Sequence, residues 1–210
     1  MLERRNDRLK EFTDILAHDL RNPLQVIDSR LSLYEKSGDR DHLDSIHETT
    51  DRMERLVEDL LRVARQGVVV EEPEPTDIEP IVRMAWQGMG SESDSSLQCD
   101  SVPAVSADAD RLCEVFENVF RNAVEHGGEG VTVRVGPLHD GFYIEDDGPG
   151  IPADRREEVF DHGVTTIEDG SGYGLSVVRT VVNAHGWDIA ATEGESGGTR
   201  LEITGVDFLE

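Results

Sequence analysis

Apolar residues at Leu9, Phe12, Ile15, Leu16, Leu20, Leu24, Ile27 and Leu31 recur every three or four positions, which gathers them into one stripe along a helix. The run extends from Leu2 to about Tyr34, breaks at the turn-forming SGDRD of 37–41, and restarts as Leu43, Ile46, Met53, Leu56, Val57, Leu60 and Val63 until about Arg65. Two long helices joined by so short a loop form an antiparallel hairpin. One hairpin leaves apolar flank uncovered, so residues 1–66 are expected to pair with a second copy as a dimeric four-helix bundle.

The period changes after the hairpin. GVVVEEPEPTDIEP, residues 67–80, holds three prolines and reads as a linker into a second domain over 81–210. There, 81–89 and 108–127 carry helical patterns, the latter with Leu112, Val115, Phe116, Val119, Phe120 and Ala123 inward. A short strand is expected at 96–102, two alternating strands at 131–136 and 141–147, a helix at 173–186 stopped by Gly186, and a closing hairpin around GESGG. The fold class is therefore α+β: a helical hairpin followed by an α/β sandwich, with helices on one face of a mixed or antiparallel sheet.

Charge narrows the partners. The net charge of −25 is spread along the chain, with Lys only at positions 10 and 36, which disfavours nonspecific binding to nucleic acid or anionic lipid. Arginine in place of lysine on an aspartate-rich surface suits a halophile's concentrated salt, where self-repulsion is screened; an ordinary acidic protein is the plainer alternative. No apolar run of about 18 residues and no signal peptide is visible, so a cytoplasmic location without membrane contact is expected. Cys99 and Cys113 are too few and too far apart for a metal cluster.

Three stretches of the second half carry chemistry beyond fold. Asn118 and Asn122, four apart, share a helix face opposite the residues expected to serve the core, and an amide oxygen is a suitable Mg²⁺ ligand, although two such residues on a helix are more often ordinary surface. DDGPGIP, 146–152, follows a strand; Asp146 can accept from an exocyclic amine while Gly148 and Gly150 let backbone approach a flat ligand, or the stretch is simply a tight turn. DGSGYGLSVV, 169–178, runs glycines 170, 172 and 174 into a helix start, which suits phosphate but is weak evidence alone.

Their order within about 60 residues resembles the ATP-binding domain of the histidine kinase, gyrase, Hsp90 and MutL superfamily. Residues 118–126 correspond to its N box, 146–150 to the G1 box and 170–174 to the G2 box, with GGTRLEI as the final strand. The resemblance implies that Asn122, beside Asn118, coordinates Mg²⁺ on ATP phosphates, and that Asp146 binds the adenine amino group. It implies also that Gly148, Gly150, Gly172 and Gly174 shape the pocket and lid, that Thr199 supports the adenine end, and that 151–170 forms the lid. Arg121, Arg155 and Arg156 are candidate phosphate neighbours. One departure stands at Glu125, where histidine kinases commonly carry a basic residue. Hydrolytic relatives place a glutamate where this chain has Asn118, so water is the poorer competitor for the γ-phosphate.

AHDLRNPL, 17–24, supplies an acceptor. A neutral His18 nitrogen can attack phosphorus while Asp19 accepts from the other nitrogen, although an isolated pair of this kind is usually solvated surface. Pro23 leaves the Asp19 carbonyl without its helical partner and predicts a bend just beyond His18. FTDILAHDLRNPL resembles the phosphoacceptor box of sensor histidine kinases. On that resemblance His18 is autophosphorylated, Asp19 is its base or orienting partner, and Asn22 positions water for dephosphorylating a response-regulator receiver domain. The implied activity is that of an ATP-dependent protein histidine kinase of a two-component system, with ATP and Mg²⁺ as cofactors and an upstream sensor domain or protein as input. The alternatives are a noncatalytic dimeric docking scaffold for a receiver domain, and an ATP-hydrolysing relative.

Overall fold

The computed structural model describes residues 21–50, 53, 57, 73–89, 94–128, 130–161 and 174–209. His18, Asp19, Gly172 and the expected bend after His18 lie outside them. The chain divides into two units near residue 62.

In the first, 21–37 are helical (α1), Pro23 included, and 41–50 with Met53 and Val57 are helical (α2). The turn between them is built from short polar side chains. Ser37 Oγ donates to the Leu33 carbonyl at 2.9 Å and accepts from Asp39 N–H at 3.1 Å, while Asp39 Oδ1 accepts from Asp41 N–H at 3.2 Å at the start of α2. Leu24, Leu31 and Val57 remain exposed on these helices, at 54%, 44% and 42%.

The first strand of the second unit lies inside the stretch expected to be linker. Glu74–Thr76 form β1, paired antiparallel with β3 (Val105–Ala107). A proline is admissible there because β1 is an edge strand, where Pro75 needs no ladder donor. The helix α3 then runs Ile78–Gly88 rather than 81–89. Pro80 does not break it, because N–H groups of the first turn have no intrahelical partner to lose.

The main sheet has five strands in the order β2–β4–β5–β7–β6: Ser96–Cys99, Thr132–Leu138, Gly141–Asp146, Thr199–Thr204 and Asp188–Glu193. Only β2 with β4 is parallel, so the sheet is mixed. β2 stops at Cys99, short of the expected 102.

Helices α3, α4 (Ala109–Gly127) and α5 (Gly174–Ala184) pack against one another beside this sheet. The six α4 residues expected inward are all buried. An aromatic file, Trp86–Phe120–Phe116–Phe142–Trp187, crosses this core with successive ring centroids 5.4, 5.7, 5.9 and 6.3 Å apart.

Asp108 caps α4 by accepting from Arg111 N–H at 3.2 Å, and its own N–H donates to His185 Nε2 at 3.1 Å. The other ring nitrogen of His185 faces the Val181 carbonyl at 2.8 Å, so the imidazole ties the end of α5 to the start of α4. Gly186, the expected stop of α5, has φ +80°. No helix among the described residues is long and apolar enough to cross a membrane.

Candidate nucleotide site

Helix α4 is the floor on which the three separate stretches meet. Asn118 is 2% exposed, so the expectation that both amides lie opposite the core needs correcting. The start of α5 covers this side of α4. A Cβ placed at Gly174 would lie 3.5 Å from Asn118 Oδ1 and 3.5 Å from both amide atoms of Asn122.

Asn118 Nδ2 donates to the Glu114 carbonyl at 2.8 Å, which turns Oδ1 toward Gly174. Neutral amide oxygens gathered at the N-terminus of a helix suit a hard divalent cation that keeps phosphate oxygens in its shell, so this donor set fits Mg²⁺ carried by a nucleotide. Among the described residues no cluster of three or more His, Cys, Asp or Glu is arranged for a metal ion.

At the end of α4, a Cβ on Gly148 would come within 2.7 Å of Gly127 Cα, so the DDGPGIP loop lies directly against the helix. Asp146 ends β5 inside that loop. Its Oδ1 accepts from Gly148 N–H at 2.9 Å and from Thr199 N–H at 3.1 Å. Neither backbone donor uses Oδ2.

Burial pushes the Asp146 carboxyl above the ordinary aspartate range, and the adjacent Asp147 charge adds to this, while the Thr199 and Gly148 donors pull the other way. Asp147 itself caps the start of β4 by accepting from Thr132 N–H at 2.7 Å.

The turn joining β6 to β7 closes over this loop. A Cβ on Gly198 would overlap the Asp146 carbonyl, so any larger residue would drive β7 away from the carboxylate. Gly150 has φ +73°, and its Cβ would fall 2.6 Å from the Gly197 carbonyl oxygen, which excludes a side chain on two counts. Arg156 Nε donates to the Ile151 carbonyl at 3.0 Å, and its Nη2 meets Glu193 Oε2 at 3.2 Å, which clips the far end of the loop to β6. Arg156 is thereby committed to structure, and of the three arginines considered as phosphate neighbours it is the one to withdraw.

The expected lid also needs correcting in its first half. Residues 151–161 wind through two 3-10 turns, Ala153–Arg155 and Glu158–Phe160, and bury Val159 and Phe160 in the core. Arg179 on α5 pairs with Asp161 at 2.8 Å and lies over the Phe160 ring, so this segment is fastened rather than free to cover a ligand.

The structure thus brings Asn118, Asn122 and Gly174 together, and Asp146, Gly148, Gly150 and Thr199 together, at successive levels of one helix. Asn22 lies in α1, in the other unit. The sequence does not single out Gly194 and Gly198 as contributors. The signal for the two glycines was the GESGG turn, whose hairpin register brings it over β5.

Two family signatures match the chain. One is described as His Kinase A (phospho-acceptor) domain, over residues 8–67; the other as Histidine kinase-, DNA gyrase B-, and HSP90-like ATPase, over 107–207. The methanogenesis regulatory histidine kinase FilI of Methanothrix harundinacea is 30% identical over 97% of this chain and 25% of its own length. The first five curated relatives are covered for between 25% and 61% of their length. Full-length ShkA in complex with AMPPNP is similar over 95% of this chain and 46% of that one, with TM-score 0.61 and 27% identity. The fold of ThkA in its complex with the response regulator TrrA matches with TM-score 0.70, over 96% of this chain and 63% of that one, at 22% identity.

Proposed function

We propose that this chain is a histidine kinase, with phospho-acceptor and ATPase domains in one polypeptide, and that it transfers the γ-phosphoryl group of ATP to His18 and from there to an aspartate of a response-regulator receiver domain. The observation that carries the nucleotide half is the convergence on α4, with two asparagines facing Gly174 near its middle and the Asp146 loop seated on Gly127 at its end.

In this reading the Asp146 carboxylate accepts from the adenine amine, Thr199 and Gly148 hold that carboxylate still, and Gly150 keeps the loop close to the base. Asn122, with Asn118 beside it, presents amide oxygens to Mg²⁺, and Gly172 and Gly174 open α5 toward the phosphates. Bound Mg²⁺ neutralises charge on the phosphate oxygens.

His18 forms a nitrogen–phosphorus bond as the bond to the β-phosphate oxygen breaks, releasing ADP. Asp19 orients the ring by accepting from its other nitrogen, stabilises the positive charge that develops there and takes the proton that leaves it. A receiver aspartate then attacks the phosphorus and breaks the same bond, which frees His18, and Asn22 directs water for the separate hydrolysis of that aspartyl phosphate.

The remaining proposals concern assembly and setting. The exposed Leu24, Leu31 and Val57 are the stripe that a second copy covers, which supports a homodimer through the hairpin of residues 1–66. The ATP-binding domain starts at β1, the segment before it serving as a hinge. The chain works in the cytoplasm under an upstream sensor, and its acidic, lysine-poor surface suits concentrated salt. The docking-scaffold reading draws no support from the relatives.

The experiment is incubation of the purified chain with γ-labelled ATP and Mg²⁺. Acid-labile, alkali-stable label that vanishes in His18→Gln and moves onto a receiver domain is the expected result. Free phosphate without labelled protein overturns kinase activity in favour of hydrolysis, and nucleotide binding with neither product leaves a scaffold.

A further inference from the structure

The Asp146 site has a reverse side. Adjacent residues of a strand point to opposite faces, so Glu145 projects away from the helices while Asp146 projects toward the nucleotide loop. On β7 the same holds for Arg200 and Thr199. Glu145 and Arg200 are direct cross-strand partners in the ladder. The Thr199–Asp146 contact on one face and the Glu145–Arg200 contact on the other therefore stand back to back at adjacent positions of the same strand pair.

The outer pair is well enclosed. The side chains of Glu145 and Arg200 are 6% and 16% exposed, with Oε2 and Nη1 3.2 Å apart. The Arg200 guanidinium lies 3.8 Å from the Tyr143 ring centroid, and its Nε donates to Glu202 Oε1 at 3.0 Å. Tyr143 is itself held flat over Gly136, where a Cβ would fall 2.6 Å from the phenol oxygen.

Glu145 Oε2 accepts in addition from Glu195 N–H at 3.2 Å, on the far side of the β6–β7 turn. One carboxylate thus grips the chain at 195 and at 200. The residues between them hold Gly197 against Gly150, Gly198 against the Asp146 backbone and Thr199 against the Asp146 carboxylate. The turn is further closed by Gly194 N–H to Gly198 carbonyl at 2.9 Å.

A buried ion pair is costly to desolvate and is a weak source of stability, so its use lies in fixing one geometry over others. From this arrangement we infer that Glu145 and Arg200 are positioning residues for nucleotide-base recognition: they lock the 195–200 turn so that Thr199 and Gly198 hold Asp146 with one carboxylate oxygen directed at the 6-amino group of adenine. The pair touches no nucleotide and acts only through the turn. The inference rests on the reading of Asp146 as the base acceptor.

The test uses the whole chain and two probes, ATP and the purine ribonucleoside triphosphate that lacks the 6-amino group, with binding measured by titration calorimetry. The native chain should prefer ATP, and Asp146→Asn should erase most of that preference. Glu145→Gln and Arg200→Met should each lower ATP affinity about tenfold while leaving the deaminated probe within about twofold, and Arg200→Lys should recover part of the loss. The Thr199 amide proton, shielded by Asp146 in the native chain, should exchange faster in the same variants.

If Asp146→Asn erases the preference but the two outer variants retain it, the positioning role is overturned while the base reading stands. If the native chain shows no preference and Asp146→Asn changes nothing, the base reading fails and takes this inference with it. Equal loss for both probes, with Thr199 exchange unchanged, assigns the pair to general stability and also overturns the inference. Arg200→Lys keeps a charge on Tyr143 and Glu145, so it retains the fold if Arg200→Met does not, and a preference narrowed in that variant alone suffices to support it.

Discussion

Asp146 carries two opposed requirements in one side chain. In the proposed reading it accepts from an amine, most strongly when ionised, yet burial raises its folded-state pKa above the unfolded value. The folded chain therefore binds the proton more tightly, so this group's contribution to stability is fully present below the unfolded pKa and is lost as pH rises through the folded one. Nucleotide affinity runs the other way: ATP binding should weaken as pH falls into the raised titration range, which calorimetry from pH 8 downward would register. Asp146→Asn should weaken ATP binding by about 10- to 100-fold, the scale of a hydrogen bond to a charged group. The melting temperature of the nucleotide-free chain at pH 7.5 should not fall, because the variant removes a buried charge and keeps an acceptor for Gly148 and Thr199. Gly198→Ala should instead lose both, costing about 1–3 kcal/mol of stability through overlap with the Asp146 backbone, measurable by urea unfolding, and weakening ATP binding with it.

Among the elements, α4 bears the most. It presents Asn118 and Asn122 to α5, seats the DDGPGIP loop on Gly127, and fills the core with Phe116 and Phe120. Asp108→Ala should cost about 1 kcal/mol by removing the cap on Arg111 N–H, seen as a lower urea midpoint at unchanged slope. The inward stripe of this helix was legible because period and burial coincide from Leu112 to Ala123, and Asn118 and Asn122 were legible as a pair from the same period, though the burial of Asn118 was not. What sequence reasoning missed was proline in permissive places: Pro75 on an edge strand and Pro80 in a first turn, where the usual penalties do not apply. The outer pair was illegible for another reason. Glu145 and Arg200 lie 55 residues apart, and only the register of a completed sheet makes them neighbours. Nor could spacing alone reveal that Arg156 is spent on Glu193 rather than left for phosphate.

For the molecule as a whole, net charge and assembly set the behaviour. A charge of −25 on 210 residues predicts self-repulsion that added salt relieves, so the melting temperature should climb as KCl is raised from 0.1 M toward several molar, where the Debye length shrinks to about 3 Å at 1 M. Sedimentation should give a dimer, and Leu24→Glu with Leu31→Glu should give a monomer, because both side chains stand exposed in the single chain. The aromatic file across the core has a practical sequel. The chain's only two tryptophans, Trp86 and Trp187, sit at its two ends, both in the second unit, and the helical hairpin has none. Tryptophan emission therefore reports unfolding of the ATP-binding domain alone, whereas far-ultraviolet dichroism sums the helices of both units. Two transitions that fail to coincide would mark the domains as separate cooperative bodies, and ATP should move only the fluorescent one.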